Sequence, residues 1–294
     1  MPYKLIKGQF HLFYKGKKKV GSRPDGDSVW FKPDIPEHLN DVAGRSAKLN
    51  KGGMAQLRFE AIDALETHFQ SVHQNLDYGF AARDFTLSGL GFNIDTVKYS
   101  GKKEMTVASA TPHPTTGYIL TRSIDPYGRP VSFVFSGNTS YADGKDDVFL
   151  NVTMLKKSVN AELAVSGNAF PTFYTGLPTD LRNHIKSVAE SARTNKEGLW
   201  KDDKSMKGAK AGSQSYLETE VLFPKLFRRL TSYYKDGNDG LSNFGNWLRE
   251  KEDRDDKLWI VSKGEEANMH DVIKISGNKI SMQYLPEDII VVPR

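Results

Sequence analysis

Three short stretches, far apart in the chain, hold acids and arginines at spacings that could serve one reaction. "PDGDS", Pro24 to Ser28, sets Asp25 and Asp27 on either side of a glycine. "RFEAIDALETHF", Arg58 to Phe69, inserts Arg58, Glu60, Asp63 and Glu66 into an apolar run, and "IDPYGRPVSFVF" delivers Arg129 from a turn directly into a strand. Carboxylates accept protons and ligate hard cations, while guanidinium forks match phosphate oxygens. Taken singly, each stretch has an ordinary reading. Asp-Gly pairs make turns. Asp63 and Glu66 read as a surface acid and an acid near a helix N-terminus, unless the chain turns after Ile62 and brings both to one site. Arg129 reads equally as a turn arginine in solvent.

The elements that must position these groups follow from periodicity and turn chemistry. Tyr3 to Phe31 reads as strand, turn, strand, with aromatic and β-branched residues flanking the basic "KGKKKVGSRPDGDS". Lys32 to Met54 reads as an inserted loop. Asp77 to Leu90 reads as a helix with Phe80, Phe85 and Leu87 towards one side, and several strand-like pieces follow between Val97 and Val134. "SVNAELAVSG" and "PTDLRNHIKSVAESARTNKEGLW" are helical, the second opened by Pro178 and closed near Gly198. A polar stretch, residues 203–214, reads as a linker to a C-terminal portion of two helices and several short strands. Within that portion the stripe Leu222, Leu226, Leu230 reads as core, with docking of a protein partner as the alternative.

Composition narrows the chemistry. The 294 residues include no cysteine, which excludes disulfides, thiolate nucleophiles and cysteine zinc sites. A net charge of +5 and a pI near 9.0 fit a polyanionic partner without requiring one. The first residues carry no apolar core of a secretory signal and no segment has the length of a membrane span, so the expectation is a soluble, cytoplasmic protein with no membrane partner. No phosphate-cradling glycine loop, dinucleotide fingerprint or nucleophile elbow occurs.

Together and in this order, "DGDS", "RFEAIDALE" and "DPYGRPVSFVF" resemble the staphylococcal-nuclease (thermonuclease-like) family, and the resemblance continues through the helical segment ending in "GLW". It covers most of Tyr3 to Trp200, with a long insert between Ser28 and Arg58. It implies a five-stranded OB-fold barrel with three helices over residues 1–202, followed by a smaller α+β appendage, residues 215–294. It also implies a metal-dependent nuclease acting on DNA, RNA or both. Asp27, Asp63 and the carbonyl of Ala64 would hold Ca²⁺, with Mg²⁺ or Mn²⁺ as alternatives, since hard oxygens suit such ions. Arg58 and Arg129 would grip the phosphodiester, and Glu66 would orient or deprotonate the attacking water. The sugar 5′-oxygen would leave, giving 3′-phosphate ends.

Departures from the family pattern mark where its properties carry over less directly. Ala64 and Leu65 stand where the family has threonine and proline, which keeps a carbonyl but loses a hydroxyl. Pro126 stands where some members have a lysine, ahead of the retained Tyr127. Asp25 reads as shaping its loop rather than ligating. Phe173 and Tyr174 occupy the place of an aromatic segment that stacks on bases, with core packing as the alternative for at least one. Lys18, within the run Lys15, Lys17, Lys18 and Lys19, could track phosphates or simply solvate a hairpin tip. His68 and His73 lack the further partners of a metal pair and read as surface or loop residues. A nuclease-like fold retained as a non-catalytic nucleic-acid or protein scaffold is the rival to the enzyme.

Overall fold

A computed structural model describes residues 2–15, 19–40, 42–101, 103 and 105–293. The chain forms two compact units, one of residues 1–60 and 82–163, the other of residues 61–81 and 164–294.

The six-stranded sheet of unit 1 consists of β1 (Lys4–His11), β2 (Trp30–Pro33), β3 (Ala55–Gln56), β4 (Arg58–Phe59), β5 (Thr115–Ile124) and β6 (Pro130–Ser136). They lie in the order β3-β2-β1-β5-β6-β4. The two outermost members are the same stretch of chain, interrupted only by Leu57, so the sheet returns on itself as a five-segment OB-type barrel without a long free edge. Closure demands close backbone approach, and glycine supplies it. Gly8 faces Gly117 across the β1–β5 ladder. A Cβ on Gly8 would lie 2.2 Å from the Lys32 carbonyl oxygen, and one on Gly117 2.2 Å from the Phe10 ring. Leu5, Phe10, Phe31, Phe59, Ile119 and Phe133 fill the interior.

Glu60 accounts for one of the charges in the opening run. Its carboxylate is buried and accepts from Arg122 Nη2 at 2.7 Å. Burial raises the Glu60 carboxyl, and the Arg122 guanidinium pulls it the other way. Asn160 fastens the same segment, donating to the carbonyls of Glu60 (2.9 Å) and Ser132 (3.0 Å) while accepting from the Val134 N–H. The 32–54 insert is anchored as well: the Lys48 N–H donates to the Gly128 carbonyl at 2.8 Å.

Helix α1 (Leu76–Gly89) and helix α2 (Val159–Val165) match the helical expectations and run through the unit boundaries. Unit 2 holds α3 (Thr179–Thr194), α4 (Pro224–Lys235) and α5 (Phe244–Arg249). Its main sheet, in the order β7-β10-β8-β9, joins β7 (Phe173–Tyr174) in parallel to β10 (Ile289–Val291), then β8 (Lys257–Ile260) and β9 (Glu265–Asn268). Phe173 therefore contributes a strand to a sheet built otherwise from the last forty residues of the chain.

Residues 203–214 are not a free linker within this unit. Ser205, Ala209 and Ala211 are fully buried, and the Ser205 Oγ accepts from the Phe223 N–H at 2.9 Å. The small residues Ser, Ala and Gly that suggested a linker instead permit close packing. Phe170 stands edge-on to both Trp200 (4.9 Å) and Phe223 (5.9 Å), so residues before and after 203–214 share one core. Leu222, Leu226 and Leu230 all lie in that core, as their helical spacing predicts. Among the described residues no helix is long and apolar enough to cross a membrane.

Candidate active site

Unit 1 carries Asp27, Arg58, Tyr127 and Arg129, and its backbone brings the three charged residues onto neighbouring segments. The Asp25–Ser28 turn is pinned through two carbonyls: Gly26 accepts from Thr86 Oγ1 at 2.6 Å, and Asp27 from the Phe59 N–H at 3.0 Å. Asp27 is thereby fixed beside the strand that carries Arg58. β4 pairs with β6 in parallel, Arg58 opposite Val131, and Arg129 directly precedes β6.

The turn before Arg129 is built around Asp125. Its Oδ1 accepts from the N–H groups of Tyr127 and Arg129, both at 2.9 Å, and its Oδ2 accepts from Arg129 Nε at 2.7 Å. The carboxylate is buried, whereas the arginine side chain is partly exposed. Asp125 thus spends its oxygens on the turn and on the Nε of the guanidinium. Gly128 completes the turn at φ +84, and a Cβ there would lie 2.6 Å from Lys48 Cβ. Tyr127 is 76% exposed, with its ring centroid 5.5 Å from Arg129 Cζ. An outward tyrosine beside an oriented guanidinium can meet a nucleotide by stacking and a phosphate by paired hydrogen bonds.

Unit 2 carries Asp63, Ala64, Glu66, Phe173 and Tyr174. The turn that the acids require comes one residue earlier than Ile62: Ala61 takes φ 71, and its carbonyl accepts from the Thr172 N–H at 3.0 Å. Left-handed backbone at a residue with a side chain is uncommon, and alanine carries the smallest one. Ile62–Asp63 then pairs antiparallel with Phe170–Pro171, Asp63 opposite Phe170. The backbone of Glu66 is held by Gln74 through two bonds, and Gln74 Nε2 donates in turn to the Leu222 carbonyl at 2.6 Å.

The structure does bring Asp63 and Glu66 to one site, and it adds a residue that the sequence motifs leave out. Arg228, on α4, donates through Nη1 to Asp63 Oδ1 (2.9 Å) and Glu66 Oε1 (2.6 Å), and through Nη2 to Asp63 Oδ2 (2.6 Å). The Asp63 side chain is 3% exposed, that of Glu66 17% and that of Arg228 21%. Burial works against the guanidinium's charge, but the two carboxylates outweigh it and hold its pKa well above the ordinary value. The bond pattern is the bidentate fork expected of a strong arginine–carboxylate pair.

This arrangement bears directly on the implied cation. Hard carboxylate oxygens are the right donors for Ca²⁺, yet both oxygens of Asp63 are engaged by a fixed positive group, and a divalent ion beside it would meet strong like-charge repulsion. Among the described residues no cluster of three or more His, Asp or Glu side chains is arranged to hold a metal. With Arg228 in place, then, Asp63 and Glu66 do not fit a metal.

The other expected contacts separate. Ala64 is buried in the turn. Phe173 is fully buried in unit 2 and offers no face to a base, which corrects its reading as a stacking residue; its strand position turns the ring into the core. Tyr174 is half-buried, with Lys225 Nζ 5.7 Å from its ring centroid. Lys18 lies outside the described residues. His68 Nδ1 pairs with Thr67 Oγ1, and His73 Nδ1 with the Gln74 carbonyl.

Asp125 and Arg228 are the functional candidates that motif reading passes over. Asp125 had a visible signal, since an aspartate opening an Asp-Pro-x-Gly turn bonds its own backbone two residues on. Arg228 had none: in "KLFRRLTSYY" two arginines on an amphipathic helix read as its solvated face.

No curated protein matches the chain. The family described as staphylococcal nuclease homologue matches residues 56–202, one half of the chain; Arg58, Asp63, Glu66 and Arg129 fall inside the match, Asp27 before it and Arg228 after it. The match spans half of the chain, and this chain belongs to the staphylococcal nuclease homologues.

Proposed function

We propose that the protein is a nuclease that hydrolyses phosphodiester bonds of DNA, RNA or both by in-line attack of water, leaving 3′-phosphate ends, and that it depends on Ca²⁺ or a similar divalent ion. Family membership supports the general activity. The observation that carries the reading to this chain is the Asp125 clamp, which holds the partly exposed Arg129 through its backbone N–H and its Nε. Preorganised donors of this kind stabilise the charge that grows on phosphate oxygens as the nucleophile arrives, without reorganising during the step. Arg58 would be the second guanidinium and Glu66 the carboxylate that orients or deprotonates water; Asp27, Asp63 and the Ala64 carbonyl are the oxygen groups assigned to the cation, and the Arg228 contact to both oxygens of Asp63 opposes that assignment. Tyr127 and Tyr174 are the assigned nucleotide contacts.

A second reading has its own support. Asp63 and Glu66 are both held by Arg228, which favours a nucleic-acid-binding scaffold whose acids have become structural. One experiment separates the two: plasmid, single-stranded DNA and RNA are incubated with the full chain in Ca²⁺, Mg²⁺, Mn²⁺ or chelator. The nuclease gives cleavage that chelator abolishes and that Glu66→Gln lowers by at least 100-fold while binding persists. Binding without cleavage under every ion would establish the scaffold.

A further inference from the structure

The 32–54 insert precedes the matched residues 56–202. Its charges are sorted along the chain. Asp34, Glu37 and Asp41 all fall in its first half, whereas Val42 to Phe59 carries Arg45, Lys48, Lys51 and Arg58 and no acid. Arg45, Lys48 and Lys51 are exposed. A stretch of one sign repels itself and attracts a polyanion.

This basic run is built against the turn that carries Arg129, and all of the residues concerned belong to unit 1. The Lys48 N–H donates to the Gly128 carbonyl at 2.8 Å, and a Cβ on Gly128 would lie 2.6 Å from Lys48 Cβ. Arg45 flanks the other end of the turn, with Nη1 3.5 Å from the Ile124 carbonyl. Past Lys48 the chain closes a small hairpin in which Leu49 bridges Ala55 and Lys51 stands in the tip. Asn50 Oδ1 fixes that tip by accepting from the N–H groups of Gly52 (2.8 Å) and Met54 (3.2 Å). The chain then passes through Leu57 into Arg58. The run therefore starts beside Tyr127 and Arg129 and ends at Arg58, so its two ends meet the two arginines assigned to the phosphodiester. The one carboxylate in residues 124–130, that of Asp125, is buried and already accepts from Arg129. An exposed basic loop needs no such fastening to stay in solution; fastening fixes where its charges stand.

We propose that residues 45–51 form a phosphate-tracking surface that continues the Arg129 site and holds a nucleic-acid strand by the phosphates flanking the one that is cut. Arg45, Lys48 and Lys51 each neutralise a flanking phosphate. Lysine suffices there because a flanking phosphate needs only a counter-charge, whereas the reacting one needs the fork of an arginine. The proposal rests on the nuclease reading for the place of the cut, but the surface itself is measured by binding, without cleavage.

The test is binding of a labelled oligothymidylate about 12 nucleotides long to the full chain, read by fluorescence anisotropy in chelator over a range of salt concentrations. Wild type is compared with the triple variant Arg45→Gln, Lys48→Gln, Lys51→Gln. Each lost contact to a single strand removes about 0.7 from the slope of log affinity against log salt, so the triple variant should lose about 2 and bind about tenfold more weakly, or worse, at low salt. A control triple variant, Lys263→Gln, Lys274→Gln, Lys279→Gln, removes the same charge from exposed positions of unit 2 and should leave the slope nearly unchanged. Equal losses in the two triple variants would reduce the effect to net charge and overturn the proposal. An unchanged slope in the insert variant, or no binding by the wild type at any salt, overturns it too. Should the triple variant misfold, the three single variants decide, each expected to lessen the slope by about 0.7; unchanged slopes there count against the surface. A loss of binding to phosphatidylserine vesicles with none to the oligonucleotide would assign the run to a membrane, and the proposal falls. Cleavage of single-stranded DNA by a wild type whose slope the insert variant shares would discard the surface and keep the nuclease reading. A selective loss of slope in a protein that cleaves under no ion would keep the surface and discard the nuclease reading.

Discussion

Each unit holds a chemically important charge against a partner of opposite sign, and the two do it in opposite ways. In unit 1, Arg129 is held by Asp125, four residues upstream in the same turn, through one edge of its guanidinium. In unit 2, Asp63 and Glu66 are held by Arg228, 165 and 162 residues away, through every oxygen of Asp63 and one of Glu66. The first contact holds a partly exposed cation through its Nε; the second neutralises an acid pair. A local clamp of one bond geometry is a positioning device, and a remote clamp that uses both members of a pair acts as a counter-charge.

The sharpest way to break this contrast is to alter the oriented cation itself. Arg129→Lys keeps the charge but loses the planar fork and the Nε donor that Asp125 accepts. Turnover on single-stranded DNA is expected to fall by about 100-fold, the size typical of losing one preorganised donor at a developing oxyanion, with the melting temperature almost unchanged. Normal turnover in this variant would mean that the fork does not act on phosphate. Asp125→Asn is the gentler cut. It keeps an oxygen for the turn but removes the charged acceptor of Nε, and should lower kcat by about tenfold, as expected for one charge-assisted hydrogen bond. Because Asp125 acts only through Arg129, the double variant should be no slower than Arg129→Lys alone. Fully multiplicative losses would show that Asp125 matters to the fold and not to the arginine's aim.

The same contrast explains what could be seen in the sequence. The barrel was legible because its strands alternate, its turns use Gly, Asp and Pro, and its closing segment 55–59 carries the motif itself. Asp63 with Glu66, and Arg129 in its turn, could be picked out because local turns deliver them. The engagement of Arg228 was not legible, since nothing local distinguishes a guanidinium that faces solvent from one that reaches a buried and a half-buried acid more than 160 positions earlier. Residues 203–214 misled for a related reason. Small and polar residues suit a flexible linker, but Ser205, Ala209 and Ala211 equally suit a crowded core. Phe173 shows the limit of carrying a residue's role over by position, because the sheet that buries its ring is completed by β10, far down the chain.

Stability measurements extend the comparison to the helix that carries Arg228. Asp256 takes both Lys225 and Arg229; burial pushes its carboxyl up, but those two cations bring it down to about 2. A depressed carboxylate stabilises the fold above its unfolded pKa near 3.8, and that contribution is lost as the pH falls towards 2. Asp256→Asn should therefore cost about 2 kcal/mol at pH 7, with the gap to wild type narrowing below pH 4. Urea unfolding followed by tryptophan fluorescence reads this in unit 2, where Trp200 and Trp247 lie. A gap that stays constant down to pH 2.5 would assign the loss to packing instead of charge.

Unit 1 should respond to acid in a different window and by less. His11 is lowered to about 4, first by burial, then by His113 and Lys32. Its Nε2 finds no hydrogen-bond partner among the described residues, and its ring meets that of His113 edge-on at 5.3 Å. Here the unfolded chain binds a proton below pH 6.5 that the folded barrel refuses until about pH 4, so the folded state loses stability as the pH falls through that interval. Partial solvent access reduces the effect to about 1 kcal/mol at pH 5. His11→Gln removes the titrating group and should flatten the pH 7 to pH 5 difference in the unfolding of unit 1, followed by hydrogen exchange of the β1 amides. An undiminished difference in that variant would shift the acid sensitivity to another group. A difference confined to unit 2 amides would place it among the charged contacts of the helix bearing Arg228, joining the two regions that this behaviour otherwise separates.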